Sequence, residues 1–195
     1  GTSGIGVFSF DFGGFIVDGG HSLKSKSSFL PSSASQAKPP QLLAHYDFPD
    51  DWEILLVILD SKNTVNGQKE VNIFQDYCPV PKNEVEQTSH IIFMNMIPFL
   101  LERDLPAFGH SIDEIQKRGF KNVEVSLQSQ QIRDLMDKLR EIGAYGVGMS
   151  SFGPTVYSVF DKNNKHIVEE IKEYVGNRGI VLTTKAQNYG HEIQK

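Results

Sequence analysis

One cysteine, Cys78, is all the thiol chemistry in this 195-residue chain. No internal disulfide can form, which fits a reducing compartment. Cys78 stands beside Pro79 with no histidine close by in sequence, so a small half-buried side chain is a plainer reading than a nucleophile. His45, His90, His110, His166 and His191 show no ligand spacing, and with a single cysteine no zinc site is expected. Dense clusters of Lys and Arg are missing too. There are 19 basic against 24 acidic side chains, a net charge of −5, so nucleic acid is not an expected partner. The longest apolar runs, Ile54 to Leu59 and Ile91 to Leu101, are too short or too interrupted to cross a bilayer. No basic leader with a cleavage site is present, so a cytoplasmic location is expected. The chain opens inside a glycine-rich loop and without Met, which reads as part of a longer protein.

What is present is globular. The chain is 39% hydrophobic and 22% charged, and it is long enough to bury a core without staples. Gly1 to Gly20 is apolar nearly all round and predicts one buried helix, entered through a Gly-Thr-Ser-Gly turn and ended by Gly19-Gly20. Gly13-Gly14 in its middle points to close approach of another backbone. Ser22 to Gln41 reads as a Ser- and Pro-rich loop, Trp52 to Asp60 as a strand, and Ser61 to Val71 as a polar connection. Asn83 to Arg103 has a helical period, kinked or broken by Pro98. Further helices are expected over Leu105 to Arg118, over Ser129 to Ile142 with Ile132, Leu135, Met136 and Leu139 on one face, and over Lys165 to Gly176. Strands are expected over Thr155 to Phe160 and Gly179 to Lys185. The order implies an α+β fold with antiparallel strands.

Two glycine-rich stretches carry the chemical interest. In Gly1 to Gly6, glycine and hydroxyl residues precede a helix, an arrangement that aims N–H groups and the helix dipole at an anion. A tight structural turn accounts for it equally well. Gly146 to Pro154 surrounds Ser150 and Ser151 with Gly146, Gly148 and Gly153. It is too irregular for a dinucleotide fingerprint and lacks the lysine of a Walker loop. A glycine-rich turn beside a strand is its plain alternative. Asp11 and Asp18 are seven residues apart, which on a single helix gives them a common face.

Both stretches, in this order, are found in small-molecule kinases of the GHMP superfamily. The chain resembles more specifically the beta-ribofuranosylaminobenzene 5'-phosphate synthase family, an archaeal branch of that superfamily. The stretches that carry the likeness are GTSGIGVFSFDFGGFIVDGGHS from Gly1, PSSAS from Pro31, DFPDDW from Asp47, EVEQTSHIIFMNMIP from Glu84, Phe108-Gly109, and GVGMSSFGPTVYSV from Gly146. The resemblance implies a GHMP kinase-like two-lobed fold. The first lobe, incomplete, would be residues 1–80, and a ferredoxin-like α+β lobe would be residues 81–195. It implies a pentosyltransferase that joins phosphoribosyl pyrophosphate to 4-hydroxybenzoate or 4-aminobenzoate, releasing CO2 and pyrophosphate, in methanopterin biosynthesis. Mg²⁺ would accompany the pyrophosphate. Its rivals are an ATP-dependent small-molecule kinase and a non-catalytic nucleotide-binding module.

The site expected on this basis has Asp18 and His21 as catalytic residues. Gly1, Thr2, Ser3 and Gly4 with Gly146, Gly148, Ser150, Ser151 and Gly153 would hold phosphate. Asp11, Ser32, Ser33, Lys121 and Gln128 would contact the substrate. No resident metal is expected, and a homodimer through the Met- and Phe-rich helix is.

Overall fold

Gly13 and Gly14 stop the first helix well short of Gly20. The computed structural model describes residues 3–21, 28–31, 34–60, 65 and 67–193. In it, helix α1 spans Gly4–Phe12 and strand β1 spans Phe15–Asp18. Both glycines have positive φ, 71° and 65°, which no helix accommodates. The expected backbone approach is real. Gly14 N–H donates to the carbonyl of Gln187 at 2.7 Å, and a Cβ on Gly13 would lie 2.2 Å from the same oxygen. The helix is not buried: Ile5, Phe10 and Phe12 are all exposed. β1 pairs antiparallel with β2, Leu42–Tyr46, so Gly19-Gly20 follows a strand and caps no helix. A further helix, α2 at Gly67–Tyr77, starts inside the stretch read as a polar connection.

The chain divides into two units. One gathers Gly1–Phe48, Asn66–Pro79 and Ala186–Lys195; the other gathers Pro49–Val65 and Val80–Lys185. Strand β3, Glu53–Leu59, therefore belongs to the second unit and not with residues 1–80.

In the second unit a nearly continuous helical rod begins with α3, Lys82–His90. It widens into a π-helical stretch, Ile91–Met96, and resumes as α4, Ile97–Glu102. The wide turn is the answer to Pro98. Ile97 N–H donates five residues back, to Ile92, so the rod passes the proline instead of breaking at it. Arg103, at φ 58°, ends the rod. Asp104 then caps α5, Leu105–Gln116, by accepting from Ala107 N–H at 3.0 Å. The shorter α6, Gly119–Ser126, is followed by α7, Gln130–Glu141. Strands β4, Tyr145–Met149, and β5, Thr155–Phe160, lead to α8, His166–Val175, and β6, Gly179–Thr184. The sheet order is β4-β5-β3-β6, with every neighbouring pair antiparallel.

Leu55, Val57 and Leu59 of central β3 face a helical layer. That layer presents Ile132, Leu135, Met136 and Leu139 from α7 and Ile167, Ile171 and Val175 from α8. The helix-period stripe read in the sequence is the core face. Trp52 and Phe108 meet in a further buried cluster, their ring centroids 5.1 Å apart.

Candidate functional site

The first unit assembles its polar residues at the start of α1. Ser3 is the N-cap, its hydroxyl accepting from Gly6 N–H at 3.4 Å. Gly4 is buried, and a Cβ there would lie 2.5 Å from both Asp18 Oδ2 and Pro40 Cγ. The Asp18 carboxylate therefore packs on the first turn of α1, where the helix dipole favours negative charge. Its Oδ1 accepts from Gly20 N–H at 2.9 Å. His21 Nε2 donates to the carbonyl of Lys38 at 2.9 Å. A carbonyl only accepts, so Nε2 carries the proton and Nδ1 is the basic nitrogen of the neutral ring. Asp11 does not join this group. It is exposed on the last turn of α1, about 10 Å of helix rise from Gly4. Asp18 lies on β1, so the shared helical face does not exist. Gly1, Thr2, Ser32 and Ser33 lie outside the described residues.

The second unit turns the other glycine-rich stretch into a strand followed by a short loop. Gly146 and Gly148 belong to β4, and only residues 150–154 form the loop. Gly148 is a packing position, and Gly146 combines close packing with a left-handed φ of 61°. A Cβ on Gly148 would sit 2.4 Å from the Tyr157 ring and hydroxyl, and one on Gly109 would sit 2.7 Å from Gly146 N. Helix α5 crosses β4 at this glycine pair, which explains Phe108-Gly109 structurally.

Side chains from below hold the loop carbonyls. Lys121 Nζ donates to Met149 O at 3.1 Å and to Ser151 O at 3.3 Å, and it also pairs with Glu124. Its three donors are thus engaged. Gln128 donates to Phe152 O, and Gln116 accepts from Met149 N–H at 3.0 Å. Within the loop, Gly153 N–H closes a turn on Ser150 O at 2.8 Å, and Ser150 N–H reaches Thr155 O at 2.9 Å. Ser151 takes a left-handed φ of 48°. Among the described residues, the successive N–H groups of Ser151 and Phe152 have no acceptor. Successive free N–H groups beside a left-handed residue form an anion-binding concavity, and Ser150 and Ser151 are exposed on the same loop.

Around this loop lie residues the sequence reading passed over. Glu124 is buried, and its signal was its position one turn after Lys121. Burial pushes the Tyr157 phenol up to about 12, with the charges of Asp113 and Glu124 acting in the same direction. Tyr157 is therefore a neutral hydroxyl at any physiological pH. Hydrogen bonds from Lys117 and then Arg118 hold the Glu114 carboxyl below its ordinary value of 4.5. Arg118 spans from Glu114, at 2.8 Å, to Gln87, at 2.6 Å, while its buried Nε has no partner among the described residues. Among the described residues no group of three or more His, Cys, Asp and Glu side chains is placed to hold a metal ion. No helix among them is long and apolar enough to cross a membrane.

Comparison with known proteins bears on both units. Residues 96–180 match the family described as GHMP kinases C terminal. The chain is similar to beta-ribofuranosylphenol 5'-phosphate synthase of Methanothermobacter thermautotrophicus, at 52% identity over 190 residues, covering 97% of this chain and 57% of that protein. The Archaeoglobus fulgidus protein of the same name is 47% identical over 197 residues, covering 100% and 61%. That of Methanocaldococcus jannaschii is 46% identical over 200 residues, covering 99% and 59%. The chain thus spans about three-fifths of the length of these relatives. Among solved structures, homoserine kinase from Cytophaga hutchinsonii matches with TM-score 0.63 at 15% identity, covering 92% of this chain and 50% of that one. A putative homoserine kinase from Listeria monocytogenes matches with TM-score 0.60 at 16% identity, covering 94% and 53%. Together with the family match over residues 96–180, these two likenesses establish the fold: mixed α and β, of the GHMP kinase kind.

Proposed function

We propose that this chain, 46 to 52% identical over almost its whole length to beta-ribofuranosylphenol 5'-phosphate synthases and matching the GHMP kinase C-terminal family over residues 96–180, is part of a pentosyltransferase of that kind. The reaction joins phosphoribosyl pyrophosphate to a 4-substituted benzoate. The ring carbon bearing the carboxylate bonds to the anomeric carbon, and the anomeric C–O bond breaks with its electron pair leaving on pyrophosphate. The bond to the carboxylate then breaks, CO2 departs, and its electron pair restores the aromatic ring. The name of the relatives points to the phenol product, and so to 4-hydroxybenzoate over 4-aminobenzoate as the acceptor. The product belongs to the methanopterin pathway.

The observation that carries the reading is identity of 46 to 52% across 97 to 100% of the chain. The site chemistry supports it. A leaving pyrophosphate needs preorganised donors, and the loop after β4 offers two free N–H groups and two hydroxyls, from Ser150 and Ser151. Ser3 and Gly4 open a second helix-terminal cradle. The Asp18 carboxylate already occupies that helix start, so a phosphate drawn there needs a cation between the two anions. We therefore assign Mg²⁺ to the substrate's phosphates, with Asp18 as the carboxylate of this chain that would face it. Bound there, Mg²⁺ supplies charge neutralisation of the leaving group. His21, with Nδ1 basic, lies three residues beyond Asp18 in the same segment and is assigned to the proton traffic of the site.

Gly146, Gly148 and Gly153 shape the loop, while Lys121 and Gln128 act by holding its carbonyls. Phe93, Met94 and Leu101 are exposed along the helical rod and are the face we assign to a homodimer. A cytoplasmic location follows from the substrates.

The test is release of ¹⁴CO2 from carboxyl-labelled 4-hydroxybenzoate by the whole polypeptide, dependent on phosphoribosyl pyrophosphate. Stoichiometric pyrophosphate is the expected companion. ADP formation from ATP with a phosphorylated alcohol, and no ¹⁴CO2, would assign a kinase instead.

A further inference from the structure

A cavity of about 260 Å³ opens in the second unit where α3 faces the start of α6. Its apolar walls include Val80, Ile115 and Phe120, and its polar side chains include Glu84, Thr88 and Arg118, with Ser89 and Lys121 also lining it. A cavity of about 150 Å³ suffices for benzene, so this one takes a single substituted ring.

Three polar groups around the cavity have spare capacity. Glu84 spends Oε2 on Gly119 N–H at 3.0 Å and leaves Oε1 available. The Thr88 hydroxyl makes no hydrogen bond among the described residues, and Arg118 Nε is the orphan noted above. Thr88 Oγ1 and Glu84 Cβ each lie 4.0 Å from the Cβ position of Gly119, so both side chains converge on one spot. The cavity also abuts the loop after β4. Its wall residue Phe120 meets Phe152 edge-on at 6.0 Å, and its rim residue Lys121 holds the carbonyls of Met149 and Ser151.

We propose that this cavity holds the ring of the aromatic acid acceptor, with the 4-hydroxyl on Glu84 and Thr88 and the carboxylate end toward the loop. The assignment rests on the transferase reading for the identity of the acid. The chemistry favours this direction. Lys121 has no donor left to form a direct ion pair with the carboxylate, so the group that must leave as CO2 is not locked in place. At the other end, a carboxylate accepting from the 4-hydroxyl pushes electron density into the ring, which aids attack by the carbon opposite. Glu84 can accept from a hydroxyl or an amino group alike. Thr88 can donate to a phenol oxygen, whereas the conjugated nitrogen of an aniline is a poor acceptor. Thr88 is thereby the residue that prefers 4-hydroxybenzoate to 4-aminobenzoate.

Binding of the two acids to the whole polypeptide, without phosphoribosyl pyrophosphate, tests this by calorimetry and by methyl NMR. In the unmodified protein, 4-hydroxybenzoate is expected to shift the methyl signals of Val80, Val85 and Ile115. Thr88→Val should cut the preference for the hydroxyl acid by about tenfold, the size of one lost hydrogen bond, with phosphoribosyl pyrophosphate affinity unchanged. Glu84→Gln should weaken both acids, and Thr88→Phe should abolish their binding. Unshifted methyl signals, or affinity unaltered in Thr88→Phe, would overturn the cavity assignment even where ¹⁴CO2 release persists. Shifted methyls and lost binding in Thr88→Phe, without ¹⁴CO2 release by the unmodified protein, would keep the cavity and sink the transferase reading.

Discussion

Gly13 and Gly14 in the first unit and Gly148 in the second are glycines put to opposite uses. At Gly13 and Gly14 the backbone needs left-handed torsion angles, so that α1 can end and the segment near Gln187 can lie across it. At Gly148 there is no unusual φ; the missing side chain leaves room for the Tyr157 ring. One pair of glycines supplies backbone angles, and the other position supplies space. The difference teaches that a count of glycines says nothing about which of the two is needed.

Substitutions can break each use separately. Gly148→Val forces atoms into Tyr157 and should destabilise the second unit most, by roughly 3 kcal/mol or more, read as a lowered urea midpoint. Hydrogen exchange should rise in β4 and β5 while β1 and β2 keep their protection. Gly13→Ala adds a side chain at φ 71° against Gln187 O and should cost about 2 kcal/mol of strain, with faster exchange at Gly14 N–H. A comparable loss from Gly148→Ala with restored stability in the double variant Gly148→Ala/Tyr157→Leu would confirm that space is the issue there.

Gln128→Leu leaves the Phe152 carbonyl without its donor and should cost about 1–2 kcal/mol, with weaker pyrophosphate binding by calorimetry. Smallest at neutral pH is the Tyr157 effect. Its phenol stays protonated in the fold up to about 12 against an ordinary 10.0. That contribution is complete below pH 10 and fades as pH rises through 12, because only the unfolded chain ionises readily. Urea midpoints of the unmodified protein should therefore fall between pH 10 and 12 more steeply than those of Tyr157→Phe.

Much of the second unit was legible because its apolar spacing matches its elements. Ile132, Leu135, Met136 and Leu139 read as a helix face and are one. The run from Ile54 to Leu59 reads as a strand, and its alternate residues Leu55, Val57 and Leu59 are the ones that face the core. The end of α1 was not legible, since Phe15-Ile16-Val17 continues the apolar run and hydropathy cannot see a torsion angle. β4 was hidden for the converse reason: Gly146 and Gly148 look like loop, and only the partners Gly109 and Tyr157 reveal a strand.

At the candidate site, Ser3, Gly4 and Asp18 are neighbours, as a glycine-opened helix followed by an acid allows. Asp11 was misplaced with the helix boundary. Lys121 and Gln128 could be noticed as polar residues among apolar ones. Which way their donors point depends on where α6 packs, and that is a property of the fold. Glu84 and Thr88 share a helix face, but no spacing rule says that an aromatic wall from Phe120 stands opposite.

The wide turn before Pro98 has a consequence for how this rod can be edited. A π-helical stretch carries one surplus residue relative to an α-helix, so the phase of the side chains before His90 is offset from that after Ile97. A single helical wheel drawn through the whole rod misassigns one half. Deleting one residue from Ile91–Met96 would restore ordinary winding, turn α3 by about 100° against α4, and swing Glu84 and Thr88 away from Phe120. Removing Pro98 alone, as Pro98→Ala, leaves both phases in place. Length, more than side-chain identity, is what sets the phase of this rod.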